Sequence, residues 1–154
     1  SGDLVIGNYS GDIIEKSGAN WKVVVKGASA ALTGLDKFYN KTEVATICNE
    51  REITVWDSGK KSVRVIPIEY EGSQIACHPE GVHLAVGFMN GYVSIVDNTS
   101  LTSANVLKKI KDRTTAITAI KYSPKSSTSA WPGMLLVARP LDCRTSSGPG
   151  MLVW

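Results

Sequence analysis

The chain reads as an all-β protein assembled from repeated four-stranded units, and three observations carry that reading. The run Glu52-Ile-Thr-Val-Trp-Asp57 returns about forty residues later as the run closing at Val96-Asp97, a period that marks tandem β-sheet units. A second strand-like run precedes each of these, Glu43–Cys48 in one copy and His83–Phe88 in the other, across the short polar linkers Asn49-Glu50-Arg51 and Met89-Asn90-Gly91. Small and branched apolar residues alternate with polar ones throughout, which describes hairpins and not helices.

Extending the pattern in both directions gives a four-strand grammar of inner strand, two middle strands and outer strand. The inner strands are predicted at Leu32–Phe38, Ser73–Pro79 and Ala116–Pro124, each closed by a Gly- or Pro-containing turn. The outer, more polar strands are predicted at Val63–Ile68 and Val106–Lys111. Toward the start of the chain, Asp3–Gly7, Gly11–Glu15 and Trp21–Lys26 make a unit lacking its innermost strand. Toward the end, Met134–Ala138 and Met151–Trp154 follow the third inner strand with no outer strand after them. Asn90-Gly91 suits a two-residue hairpin turn with positive φ, and Asp57 and Asp97 are placed to accept backbone hydrogen bonds in the turns that follow them.

This pattern resembles the WD-repeat β-propeller, and within it the propeller region of the echinoderm microtubule-associated-protein-like family. The resemblance rests on Gly2–Gly7, Lys26-Gly27 before Leu32–Leu35, Ile53-Thr-Val-Trp-Asp57, Cys77–Gly81 with Leu84–Gly87, Asn90-Gly91, and Tyr122-Ser-Pro124. It implies a propeller fragment of two complete blades, residues 27–70 and 71–112, and two partial ones, residues 1–26 and 113–154, all within one larger domain. The chain departs from the WD pattern in two places. Gly27-Ala28 stands where a Gly-His pair is common, and Asn49 stands at a turn position where Asp is frequent. These departures remove the His and Asp members of the hydrogen-bond network that often braces a WD blade.

At 154 residues and 43% hydrophobic content the chain can bury a core, yet a closed propeller of about seven blades needs more. The expectation is a fragment of a larger protein, or a protein whose open sheet edges pair with copies of itself. The net charge of +3 is mildly basic. Its largest cluster is Lys108, Lys109, Lys111 and Arg113, with a second at Lys60, Lys61 and Arg64. Because alternate strand residues face opposite sides, the lysines cannot make one continuous face. A solubilising outer strand that resists edge pairing is one reading of them, and attraction of an acidic partner is the other.

The chemistry-bearing residues argue against catalysis. Cys48 and Cys77 lie in apolar strand runs as small buried thiols, and Cys143 has no close partner, so the odd cysteine count favours a reducing, cytosolic setting. His78-Pro79 reads as the turn after an inner strand, and neither His78 nor His83 has a second ligand at metal-site spacing. The glycines fall at hairpin turns and open no phosphate-binding helix. Trp21, Trp56, Phe38 and Tyr122 fit packing between blades, not a base-stacking platform. Inner-strand Thr33, Gln74 and Thr118 are too neutral to act as acid, base or nucleophile. No catalytic residue, cofactor, metal, nucleic-acid partner or membrane segment is expected. The linkers at 125–133 and 139–150 read as turn-rich surface loops.

The resulting expectation is a non-enzymatic protein-interaction platform, and the resemblance implies tubulin or microtubules as partner and a cytoplasmic, cytoskeletal location. A general scaffold for other proteins in a signalling or trafficking complex shares the same fold. Topology puts the connections between the two middle strands and those from outer to next inner strand on one rim. The candidate partner-binding residues there are Asn49, Glu50, Arg51, Glu71, Met89, Asn90, Lys111 and Arg113.

Overall fold

Alternating apolar residues, interrupted every few positions by Gly, Asn or a charged pair, fold into fourteen strands in four antiparallel sheets among the described residues of a computed structural model. It describes residues 4–26, 30–39, 42–57, 63–99, 105–111, 114–123, 135–138 and 152–153. The first sheet holds β1 (Leu4–Gly7), β2 (Ile13–Ser17) and β3 (Asn20–Val25). The second holds β4 (Leu32–Lys37), β5 (Glu43–Cys48), β6 (Glu52–Asp57) and β7 (Val63–Pro67). The third holds β8 (Gly72–Cys77), β9 (His83–Phe88), β10 (Tyr92–Asp97) and β11 (Val106–Lys111). The fourth holds β12 (Ala119–Tyr122), β13 (Leu135–Ala138) and β14 (Leu152–Val153). Within every sheet the strands pair in chain order, so each is a simple meander.

The sheets stack through their leading strands. β4 packs on β8 and β8 on β12, while β1 meets β4 as β5 meets β8 and β9 meets β12. β1 thus occupies the place of a second strand, and the first sheet is built without an innermost one among the described residues. The middle strands are apolar on both faces because both are covered. Leu84, Val86 and Phe88 of β9 turn to Ile47, Ile53 and Val55 of the second sheet, whereas Ala85 joins Ile117, Ile120, Leu135 and Val137 on the other side. The outer strand β11 is exposed along nearly its whole length, which is why it reads as Val-Leu-Lys-Lys-Ile-Lys.

Each interface between sheets fits a large side chain into the space a glycine leaves. A Cβ on Gly7 would lie 2.8 Å from Leu32 Cδ1, one on Gly72 would lie 1.9 Å from Ile47 Cδ1, and one on Gly87 would lie 2.6 Å from Ile117 Cγ2. Gly7, Ile47 and Gly87 hold corresponding positions on successive second strands; Leu32 and Gly72 open successive first strands, and Ile117 holds the corresponding place two residues before β12. The middle interface has therefore exchanged the large and small partners while conserving the fit.

A second device recurs with the repeat. The register of both β4 and β8 slips by one residue near its start, leaving Thr33 and Ser73 as bulge residues. Ser73 Oγ donates to the Gly87 carbonyl at 3.0 Å; Thr33 Oγ1 donates to the Gly72 carbonyl at 3.1 Å, with the equivalent Ile47 carbonyl at 3.2 Å. These hydroxyls give backbone carbonyls beside the bulges a side-chain donor. In the second sheet, the Trp56 indole donates to Thr46 Oγ1 at 2.9 Å, and Thr46 in turn donates to the Thr54 carbonyl at 3.3 Å. Trp56 is thereby tied to its own sheet without a His or Asp.

Two expectations are corrected. The β9–β10 connection is a three-residue loop, Met89-Asn90-Gly91, closed by Gly91 N donating to the Phe88 carbonyl at 3.2 Å. Only Gly91 takes a positive φ, 82°, and no residue other than glycine does among the described residues. A turn followed by a left-handed glycine matches the right-handed twist of the flanking strands as well as a two-residue turn would. Trp21, expected between blades, is 52% exposed on β3, where it lies beneath Lys16 Nζ at 5.5 Å from its ring centroid. The turn role of Asp97 holds, since its Oδ1 accepts Thr99 N at 2.8 Å and Thr99 Oγ1 at 2.7 Å. Those two bonds hold the Asp97 carboxyl below the usual carboxylate range. Asp57 Oδ1 accepts the Thr42 hydroxyl at 3.1 Å, and the turn that follows Asp57 lies outside the described residues.

Candidate interaction rim

Three inter-segment backbone hydrogen bonds string the turns of one rim together. Ile68 N donates to the Arg51 carbonyl at 2.9 Å, Met89 N to the Glu71 carbonyl at 3.0 Å, and Ile117 N to the Phe88 carbonyl at 3.2 Å. Each bond joins the hairpin between two middle strands to a connection leading into a first strand. The rim is therefore a bonded belt, not a set of independent loops. Asn49, Glu50 and Arg51 stand exposed at one end, Glu71 and Met89 meet in the middle, and Lys111 stands exposed at the end of β11. Asn90 is half-buried, its Oδ1 accepting Tyr92 N at 3.3 Å. Arg113, like Lys60, Lys61, Cys143 and the linkers at 125–133 and 139–150, lies outside the described residues.

An aromatic and cationic cluster on this rim contains Tyr70, Tyr92 and Lys109, which the sequence pattern did not single out as candidate contacts. Tyr70, in the connection to β8, stacks on Tyr92 with centroids 5.2 Å apart and planes 20° apart, and sets its edge against Phe88 at 5.7 Å. Lys109 Nζ sits 4.7 Å from the Tyr70 ring centroid and 4.8 Å from that of Tyr92; Lys111 Nζ sits 5.0 Å from Tyr92. Residues two apart on a strand share a face, so Lys109 and Lys111 converge on the same ring. The register of β10 and β11 sets this pair, with Ser94 opposite Lys109 and Tyr92 opposite Lys111. Tyr70 was harder to foresee because it lies in a connection twenty-two positions from its stacking partner by number, Tyr70 to Tyr92.

Lys109 also forms an ion pair with Glu69 and donates to the Tyr70 hydroxyl at 3.3 Å. Hydrogen bonds from Lys109 and then Tyr70 lower the Glu69 carboxyl pKa, and the bond to Glu69 raises that of Lys109 in return. The pair is charged on both sides at neutral pH. Its contribution is lost as pH falls through the lowered Glu69 value or rises through the raised Lys109 value.

The opposite rim is held differently. Asn98, 2% exposed, accepts Arg64 Nη1 at its backbone carbonyl at 3.0 Å and Arg64 Nη2 at its side-chain oxygen. Its amide donates to the Gly81 carbonyl at 3.0 Å, so one asparagine clasps the outer strand of the second sheet to two turns of the third. Nearby, His78 packs between His83 at 4.5 Å and Tyr122 at 5.0 Å. Asp36 accepts Cys77 N at 2.8 Å and Lys121 Nζ at 2.9 Å. Cys77 and Cys48 are buried free thiols; burial pushes both upward in pKa, with the Asp36 charge adding at Cys77. A protonated, buried thiol is a weak nucleophile.

Among the described residues no group of three or more His, Cys, Asp or Glu side chains is arranged to hold a metal ion, and no helix is long and apolar enough to cross a membrane. No protein-family model matches the chain, and no curated protein matches it.

Proposed function

We propose that the chain is the fragment of a WD-repeat propeller, two complete blades and two partial ones, and that it works as a non-enzymatic interaction platform for tubulin or microtubules. The observation that carries this reading is the belt of backbone hydrogen bonds through Arg51, Ile68, Glu71, Met89, Phe88 and Ile117, which fixes successive turns on one rim. Rigid sheets that hold exposed turns in a row suit recognition of a large, repeating surface. The basic side chains Arg51 and Lys111 stand on that rim among the acidic Glu50 and Glu71, and the two basic groups offer contacts to an acidic partner. The sequence's resemblance to the microtubule-associated family supports tubulin or microtubules as that partner and a cytoskeletal location.

Co-sedimentation of the protein with polymerised microtubules across a salt series tests the proposal. Pelleting that falls with salt, and falls further when Arg51, Lys111 and Arg113 are each replaced by Glu, is the expected result. Pelleting unchanged by the three replacements would rule out this rim.

A further inference from the structure

We infer that Tyr70, Tyr92, Lys109 and Lys111 form a carboxylate-binding site for an acidic peptide segment, with Glu69 as a built-in competitor. The inference deepens the platform reading above and rests on it for the use of this rim. Two ammonium groups stand within 5.0 Å of one tyrosine ring, so the ring carries two positive charges that can take up an anion. Glu69 supplies one such anion: its carboxylate pairs with Lys109 through a side chain that remains 60% exposed. An incoming glutamate or aspartate can present the same group to the same ammonium. Lys111 extends the site along β11 toward the hairpin carrying Met89, a residue 49% exposed that offers an apolar contact beside the charges.

The aromatic faces decide the class of ligand. Tyr70 and Tyr92 spend a face on each other, and Lys109 lies over both rings, so the pair serves as a platform for ammonium groups, not for bases. That favours a carboxylate-rich peptide over single-stranded nucleic acid. A surface ion pair of this kind is weak, so Glu69 holds the site without sealing it.

Titration of the protein with a synthetic oligo-glutamate peptide, followed by isothermal calorimetry, tests the site. Glu69→Gln is expected to tighten binding by about two- to fivefold, the gain from no longer having to break an exposed ion pair. Lys111→Gln and Tyr92→Leu are expected to weaken it, with thermal melts reporting that each variant is folded. Absence of peptide binding, weaker or unchanged binding by Glu69→Gln, or tighter binding of oligo-deoxythymidine than of the peptide would overturn the inference. Microtubule pelleting of the same wild-type protein reports separately on the platform: pelleting without peptide binding refutes this site alone.

Discussion

The first and third sheets present the same face to opposite circumstances. Leu4 and Ile6 of β1 are 52% and 40% exposed, whereas Leu84 and Val86, at the corresponding places on β9, are 0% exposed. The second sheet sides with the third, since Val44 and Thr46 are both buried. Outer strands do not discriminate, because Val65 of the second sheet is as exposed as Leu4. Identical strand grammar thus yields a core only where another sheet lies against it. Stability in this molecule belongs to the interfaces between sheets, as in other repeat architectures.

Leu84→Ala is the strongest way to break that comparison. It should cost about 2–5 kcal/mol in urea unfolding, since it removes buried methyl groups from a packed interface and leaves a cavity. Next, Gly72→Ile should cost about 1–3 kcal/mol by forcing a side chain into the space of Ile47. Combining it with Ile47→Gly recreates the arrangement of the neighbouring interfaces, and the double variant should be less destabilised than the sum of the two singles. A coupling energy below the ~0.5 kcal/mol expected of independent sites would mean that the two positions do not share one space. Thr46→Val should cost about 1 kcal/mol by leaving the Trp56 indole without its acceptor, with a change in tryptophan fluorescence as a second readout. Smallest is Leu4→Ala, within about 0.5 kcal/mol of wild type, as for other exposed positions. A loss comparable to that of Leu84→Ala would show that the β1 face is covered in solution.

Much of the strand order was legible because its signal is local. The predicted spans at Glu43–Cys48, His83–Phe88 and Val106–Lys111 coincide with β5, β9 and β11. Period-two patterning gives the face on which a residue lies but not whether that face has a neighbour, and this is why Trp21 was misplaced. The exchange of Ile47 and Gly72 was readable in principle: aligning the repeats sets Gly7, Ile47 and Gly87 against Leu32, Gly72 and Ile117, and each pair contains one glycine. The rim followed from topology, whereas the Tyr70–Tyr92 stack depends on how a connection folds back over a hairpin. No periodic pattern encodes such a contact.

The alternation of glycine and bulky partners also restricts how such a chain can be edited. Removing the second sheet and its connections would set Gly7 against Gly72, leaving a void; removing the third would drive Ile47 against Ile117. Removing both together would pair Gly7 with Ile117 and restore the fit. The fit thus imposes a parity condition: every interface stays filled only when repeats are removed two at a time.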